Sequence, residues 1–247
     1  MSLRLFSEHT LRRIHSLDRT WTFLFPQNGT EIASDTDPCD ARGQMMTVPS
    51  VWQSIPEYVN YRGQALALCT VEQPTRGPLR LVFEGVSHTC RVFFDGEEVG
   101  RHHNAYTRFA VNLPEVAAGT HELRLWISNE HGELSALHVP NDYYNYGGIS
   151  RPAEIQHPAR AVIIERIHIT PFHDGQRWKA SVRCTLNHFG SEALSNLELQ
   201  LTVAGQRKTV PVGLLEPGTK EVECEFEFDE VSCWNPDQPA LYEAVAE

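Results

Sequence analysis

An all-β fold is predicted for this chain by the period of its apolar residues and by the turn residues that separate its strands. Apolar and polar residues alternate in segments such as LRLVFEG (residues 79–85), CRVFF (90–94) and ELRLWIS (122–128). This period of two places alternate side chains on one face of a strand, and no segment shows a sustained helical period. Asp95 and Gly96 tolerate positive φ, which predicts a tight hairpin after the second of these segments. Short strands at this spacing indicate a β-sandwich or a β-barrel.

Two domains are predicted, with a boundary in the stretch QHPARAV at residues 156–162. The first domain, residues 1–157, contains the strands described above. The second, residues 158–247, begins with the β-branched segment VIIERIHIT. Roughly five to seven short antiparallel strands in about ninety residues predict an immunoglobulin-like sandwich, although the Cys…Trp…Cys spacing of antibody domains is absent. The chain stops within LYEAVAE, which is typical of the start of a strand and favours a fragment.

Alternation in the second domain predicts which of its side chains face inward. These are Trp178, Ala180, Val182, Cys184, Leu186, Leu197, Leu199, Leu201, Val203, Val222, Cys224, Phe226 and Phe228. The glutamates between them, as in EVECEFEF, are typical of a solvated face rather than of a catalytic acid and nucleophile. The chain therefore offers no convincing pair of catalytic carboxylates.

Composition excludes several classes of partner. The formal net charge is −11 and the basic residues are scattered, which argues against nucleic acid or an anionic membrane surface and favours a neutral ligand. No apolar run approaches the ~20 residues that span a bilayer. The N-terminal segment has no continuous apolar core, so we expect no signal peptide and a cytoplasmic location, unless a signal was removed.

No metal or cofactor site is predicted. The six cysteines are far apart and form no C-x-x-C pair, which makes a zinc site improbable; they are Cys39, Cys69, Cys90, Cys184, Cys224 and Cys233. Cys184 and Cys224 are interpreted as small buried apolar residues in preference to a disulfide or a nucleophile. His102 and His103 are adjacent in a strand, so their side chains point to opposite faces and are not expected to share a metal.

The stretch NDYYNYGGISRP, which lies within residues 139–155, is the one segment whose composition suits a ligand. Aromatic faces stack on the apolar face of a pyranose, and carboxylates or amides accept hydrogen bonds from vicinal hydroxyls. The candidates are Asn141, Asp142, Tyr143, Tyr144 and Asn145, followed by Tyr146. A structural alternative is equally open, in which the tyrosines pack against the sandwich and the asparagines cap turns.

The order of motifs resembles the N-terminal portion of glycoside hydrolase family 2, the family of β-galactosidases, β-glucuronidases and β-mannosidases. The motifs that carry the resemblance are LDRTWTF (17–23), VPSVWQ (48–53), YRGQALALCTVE (61–72), residues 79–113, DYYNYGGISRP (142–152) and WNPDQPALY (234–242). The chain departs from the family pattern at Arg19, where glycine is usual, and at Asn104-Ala105, where the family has two glycines. The longer loop motif is most similar to the β-glucuronidase branch.

The resemblance implies a jelly-roll sugar-binding domain followed by an immunoglobulin-like sandwich. In the family a TIM barrel comes next and carries both catalytic glutamates, which act with retention. We therefore expect no catalytic residue in this chain and no activity from it alone. The expected partners are a terminal β-linked sugar and the barrel of the same protein. A free-standing carbohydrate-binding module and a structural or oligomerisation module, with the chain as part of a homo-oligomer, stay open as alternatives.

The resemblance also assigns roles within the loop. The family's aspartate seven positions before the isoleucine of the GGI motif contacts sugar hydroxyls at the barrel mouth, and in some β-galactosidases also a monovalent cation. Counting back from Ile149 gives Asp142. Arg151 is interpreted as structural, and Gly147 and Gly148 as residues that let the backbone turn or approach a neighbour. Tyr143, Tyr144 and Asn145 are candidates for the rim of the sugar site, with core packing as the favoured alternative.

Overall fold

The computed structural model describes residues 12–26, 32–35, 42–131 and 144–247. The chain divides into two compact units, the first ending at Ala159 and the second running from Arg160 to Glu247. The division lies two residues beyond the predicted boundary at residue 157. Strands make up most of both units and all their pairings are antiparallel, so the predicted all-β fold is confirmed.

The first unit is built from two main sheets. Its strands are β1 (Arg12–Ser16), β2 (Thr20–Phe25), β3 (Arg42–Thr47), β4 (Gln64–Gln73), β5 (Gly77–Phe83), β6 (Val86–Ser87), β7 (Thr89–Phe94), β8 (Glu97–His103), β9 (Phe109–Val116), β10 (Gly119–Ser128), β11 (Gly148–Ile149) and β12 (Ala153–Pro158). One sheet has the order β1-β12-β5-β9 and the other β3-β2-β4-β10-β7-β8. Strands β6 and β11 form a separate short pair, and two 3-10 turns, Trp52–Ser54 and Pro56–Tyr58, precede β4.

Apolar faces of the two sheets form the core of the first unit. Trp21 and Phe23 of β2 meet Leu81 and Phe83 of β5, together with Leu125 of β10, and each is at most 1% exposed. All the inward-facing positions of β5, β7 and β10 that the alternation predicts are buried. The two faces together remove a continuous apolar surface from water, which is what stabilises a sandwich.

The hairpin between β7 and β8 has the turn that its sequence predicts. Asp95 has φ of 49° and Gly96 has φ of 85°, the left-handed pair that a two-residue hairpin loop requires. Asp95 also ties the turn to β10, because its Oδ1 accepts the backbone N–H of Glu122 at 2.8 Å. The predicted hairpin is confirmed.

The second unit is a six-stranded sandwich within the described residues. Its strands are β13 (Val162–His173), β14 (Trp178–His188), β15 (Leu194–Val203), β16 (Gln206–Leu215), β17 (Gly218–Phe228) and β18 (Ala244–Ala246). They form the sheets β13-β14-β17 and β16-β15-β18. The inward-facing residues predicted on β14, β15 and β17 are buried or half-buried, and all except Trp178 belong to this core.

Charged residues cover the outer face of β14 and β17, as the alternation predicts. Lys179 lies 3.2 Å from carboxylate oxygens of Asp174, Glu225 and Glu227, and Arg183 lies 2.6 Å from Glu223. Hydrogen bonds from the backbone N–H groups of Arg177 and Gln176, and then the bond to Lys179, hold the pKa of Asp174 below its usual range. The glutamates are therefore paired surface groups.

The described cysteines carry free thiols. Cys184 is fully buried in the core of the second unit, and Cys224 is half-buried beside it, which agrees with their interpretation as apolar core residues. Burial raises the pKa of the Cys90 thiol to about 12 and that of Cys69 to about 11. Neither of these two thiols is activated as a nucleophile. In the part of the chain that the structure describes, no helix has the length and apolar content to cross a membrane.

Candidate functional site

The candidate sugar loop approaches β11 from its N-terminal side. Of its predicted residues, Asn141, Asp142 and Tyr143 lie outside the described part of the chain. Tyr144 and Asn145 are described, as are Gly147, Gly148 and Arg151 further along. The site is therefore built from the segment 144–151 and from the elements that it contacts.

Two glycines bring this segment into direct contact with the turn at Trp52–Ser54. A Cβ on Gly147 would lie 1.8 Å from Cζ2 of Trp52, and a Cβ on Gly148 would lie 2.7 Å from the carbonyl oxygen of Ser50. Gly148 also has φ of 133°, which side-chain-bearing residues rarely adopt. Close approach is thus the reason for the glycine pair, one of the two uses expected of it.

Gln53 joins the segment to the end of the 3-10 region. Its Oε1 accepts the backbone N–H of Gly147 at 3.0 Å, and its Nε2 donates to the carbonyl of Tyr61 at 3.0 Å. The backbone N–H of Trp52 donates to the carbonyl oxygen of Gly147 at 2.9 Å. Because Gln53 is only 9% exposed, these bonds form in a largely water-free environment, where an unpaired amide would be costly.

An aromatic cluster packs around Trp52, the residue before Gln53. Phe25 stacks on Tyr58 with ring centroids 3.9 Å apart, and meets Trp52 and Tyr61 edge-on at 5.9 and 5.6 Å. The Tyr61 hydroxyl donates to Gln64 O at 2.7 Å, and burial raises its pKa to about 12. The Tyr61 hydroxyl in this aromatic cluster is therefore uncharged near neutral pH.

Asn145 is held by a reciprocal pair of hydrogen bonds with Asn129 at the end of β10. The Asn145 Nδ2 donates to Asn129 O, and the Asn129 Nδ2 donates to Asn145 O, both at 2.8 Å. Asn129 is fully buried, and its Oδ1 accepts the N–H of Gly63 at 2.9 Å. Arg62 adds a third bond, from Nη1 to Asn145 O at 2.9 Å. The side-chain amide nitrogen of Asn145 thus holds the loop against the end of β10.

Tyr144 and Tyr146 are the exposed aromatic residues of the segment. They are 43% and 47% exposed, with ring centroids 5.0 Å apart and planes inclined by 33°. The Tyr144 hydroxyl lies 2.7 Å from Val59 O and 2.9 Å from Asn60 Oδ1. Arg62 places its guanidinium carbon 5.5 Å from the Tyr144 ring centroid. More than half of each side chain is covered, so the structural alternative of tyrosines that pack against the sandwich stays open beside ligand contact.

Arg151 lies against the connection between β8 and β9. Its Nη1 donates to Tyr106 O at 3.0 Å, and its guanidinium lies 5.8 Å from the Tyr106 ring centroid. Asn104, which replaces the first of the family's two glycines, has φ of 147° and so adopts a backbone that glycine favours. Its Oδ1 accepts the N–H of Tyr106 at 2.9 Å, so its side chain stabilises this turn.

A chain of histidines and a threonine, which the sequence did not indicate, lies at the start of β7. His88 Nε2 is 3.1 Å from Glu130 O, which can only accept, so Nε2 carries the proton. Its Nδ1 then accepts from the Thr89 hydroxyl at 2.9 Å, and the Thr89 oxygen accepts from His103 Nδ1 at 2.9 Å. Burial lowers the pKa of His88, which keeps the ring neutral. His102 instead stacks on Phe109 at 4.2 Å, apart from His103.

The arrangement can bind a polar ligand with a flat apolar face, but the described residues contain no group of three metal-ligating side chains. Gln53, Arg62 and Asn129 had no assigned role from the sequence, because they lie up to about ninety residues from the loop that they hold. Arg62 does lie in YRGQ, one of the motifs that carry the family resemblance, and a family alignment could have drawn attention to it.

Comparisons with known proteins give consistent partial matches. No protein-family model matches the chain. A curated β-galactosidase of Thermoanaerobacter pseudethanolicus is 27% identical over 65% of this chain and 22% of its own length. The crystal structure of a GH2 β-galacturonidase from Eisenbergiella tayi, bound to galacturonate, is 33% identical with a TM-score of 0.82 over 99% of this chain and 42% of that chain.

A β-glucuronidase structure from Bacteroides uniformis shares the fold at a TM-score of 0.76 and 18% identity, over 94% of this chain and 30% of its own. The chain spans about a quarter of the length of the curated relatives that it matches. The similarity covers nearly the whole chain and less than half of each of these solved structures.

Proposed function

We propose that this chain, which resembles part of the glycoside hydrolase family 2 enzymes, is their non-catalytic N-terminal portion, in a protein that hydrolyses terminal β-linked sugars with retention. The resemblance itself is confirmed by the matches described above. The observation that carries the proposal is the match over 99% of this chain, at 33% identity, to 42% of a GH2 enzyme. The two catalytic glutamates belong to a TIM barrel beyond these residues.

The loop that leads to Tyr144 contributes to the sugar-binding subsite in this proposal. Asp142 precedes the anchored Tyr144 by two residues and would accept hydrogen bonds from two sugar hydroxyls. What supports this role is the local anchoring, since Gly147, Asn145 and Tyr144 are each held by bonds to other elements. A loop that presents a carboxylate to a substrate gains affinity when it is ordered beforehand.

The substrate is a β-linked uronide or galactoside. A uronide is favoured because the relative with 33% identity is a β-galacturonidase, and because the loop motif is most similar to the β-glucuronidase branch. The chain's own net charge of −11 makes long-range attraction of an anionic sugar weak, so recognition of its carboxylate requires local positive groups.

Two measurements with nitrophenyl β-galacturonide and β-galactoside test the proposal. The isolated chain should release no nitrophenol, and hydrolysis by the pure chain would overturn the assignment as non-catalytic. In the complete enzyme that includes the barrel, Asp142→Asn should lower kcat/KM by about 10²-fold or more, because an uncompensated hydroxyl contact costs ~2–4 kcal/mol in the transition state. Asp237→Asn, on an exposed loop of the second unit, is the matched control and should leave kcat/KM unchanged. Equal kcat/KM for Asp142→Asn and the control would contradict the role of the loop.

A further inference from the structure

Arg62, like Arg151, differs in its partners from the arginines of the first unit that pair with a glutamate. Arg91, Arg101, Arg108 and Arg124 each pair with a glutamate. Among the described residues, Arg62 has instead one backbone acceptor, Asn145 O, and one aromatic ring, Tyr144. A guanidinium has five N–H donors in a planar fork, so most of its hydrogen-bonding capacity is left for another group.

We propose that Arg62, Tyr144 and Tyr146 form an acidic-sugar platform, in which an exposed tyrosine ring stacks on a hexuronate and Arg62 binds its carboxylate. The choice of a sugar as ligand rests on the proposed function, whereas the site itself lies wholly within this chain. The platform is a second sugar site, separate from the Asp142 contact with the sugar that is held at the barrel.

Ring geometry supports stacking. The Tyr144 and Tyr146 ring centroids are 5.0 Å apart with planes inclined by 33°, so the two rings partly cover each other and a sugar stacks on the ring area that stays exposed. About half of each side chain is exposed, at 43% and 47%, which leaves ring area for the C–H face of a pyranose. Val59, at 46% exposed, lies beside the Tyr144 hydroxyl and extends the apolar surface.

Hydrogen bonds hold the side chains of Tyr144 and Arg62 and the backbone of Tyr146 without a ligand. Tyr144 is tied through its hydroxyl to Val59 and Asn60, and the carbonyl of Tyr146 accepts a hydrogen bond from the Ser87 hydroxyl. Arg62 is oriented by its bond to Asn145 O, the same oxygen that buried Asn129 holds. Because these bonds remove most of the ordering cost, even a small contact surface can give measurable affinity.

Charge complementarity selects an acidic sugar over a neutral one. A guanidinium next to a carboxylate forms paired charge-assisted hydrogen bonds, which are roughly twice as strong as neutral ones. The ring of Tyr144 supports the cation from one side, so ligand and ring would share it. A neutral galactoside would keep the stacking and lose the charge-assisted bonds.

Isothermal titration and NMR of the 247-residue chain, with methyl β-galacturonide and methyl β-galactoside, test the platform directly. The chain should bind the galacturonide with a millimolar Kd and about tenfold more tightly than the galactoside. Arg62→Gln should reduce the galacturonide affinity to the level of the galactoside. Tyr146→Leu should weaken both sugars by a similar factor. Arg76→Gln, an exposed arginine that pairs with Glu115, is the matched control and should change neither.

Several results would overturn the platform. They are equal affinity for the two sugars, an unchanged affinity in Arg62→Gln, or no binding of either sugar to chain whose NMR spectrum shows it folded. Arg62→Lys is a second variant in case Arg62→Gln does not fold. Lysine keeps the charge and a donor to Asn145 O but lacks the planar fork of N–H groups. This variant should retain part of the preference for the galacturonide over the galactoside. The sugar preference of the unmodified chain needs no variant at all. Loss of the platform would leave the Asp142 measurement in the complete enzyme unaffected, so the two proposals fail separately.

Discussion

At the scale of single residues, Gly147 has no room for a side chain. An added Cβ would lie 1.8 Å from Trp52, whose side chain is fully buried and packed against Phe25 and Tyr61. Gly147→Ala should therefore push Trp52 or the loop out of place and lower the free energy of unfolding by about 1–3 kcal/mol, the usual cost of overpacking. Urea unfolding measures this, and amide hydrogen exchange of residues 64–73 locates it in the first unit.

Gly77 provides the control for that substitution. It begins β5, and a Cβ there would meet no atom within 4 Å. Gly77→Ala should change the free energy of unfolding by less than about 0.5 kcal/mol. Equal effects at the two glycines would show that the contact with Trp52 does not restrict the loop.

At the scale of elements, the β7–β8 hairpin depends on a left-handed turn. Gly96 has φ of 85° and no atom within 4 Å of an added Cβ, so replacing it tests backbone conformation without steric interference. Gly96→Ala should destabilise the first unit by about 1–2 kcal/mol, because alanine disfavours this region. Gly96→Asn should cost less than half as much, since asparagine tolerates it. An asparagine variant no more stable than the alanine variant in urea would contradict this explanation.

Elements were predictable from the sequence to the extent that their signals are local. Alternation located the buried faces of β5, β7 and β10, and Asp95-Gly96 located a turn, because both depend on neighbouring residues. The partners of the loop were not predictable. Gln53 and Asn129 contact the loop only through the tertiary fold. The residues next to each of them in the sequence do not indicate that the amide is buried and hydrogen-bonded to the loop. The exposure of Tyr144 and Tyr146 likewise depends on how the segment lies against residues 59–62.

At the scale of the whole molecule, buried and half-buried histidines should make the chain sensitive to mild acid. Desolvation is the largest cause that lowers the pKa of His88, His102 and His157 in the first unit. A folded pKa below the unfolded value of ~6.5 means that the unfolded chain binds more protons between the two values. Their contribution to stability is therefore full above that unfolded value and lost as the pH falls through the folded ones.

Other groups do not cancel this effect in the same pH range. His121 has the opposite sign, because its hydrogen bond to Asp95 raises its pKa and its contribution is greatest at low pH. The carboxyls with lowered pKa, such as Asp95 and Glu98, lose their contribution only as the pH falls below ~4. Among the described residues, the pKa is lowered for three histidines and raised for one, so we expect a net loss of stability between about pH 7.5 and pH 5.5.

The prediction is a lower urea midpoint for the first unit at about pH 5.5 than at about pH 7.5, seen by hydrogen exchange of residues 64–73. His157→Phe should reduce the difference between the two midpoints. His157 packs edge-on against His15 with centroids 5.2 Å apart, and the nearby charges of His15 and Arg13 add to the desolvation that disfavours its protonation. Phenylalanine keeps the ring contact and cannot be protonated, so the acid-induced loss that remains is that of His88 and His102. A midpoint that is equal or higher at the lower pH would show that these histidines are not desolvated in the folded chain.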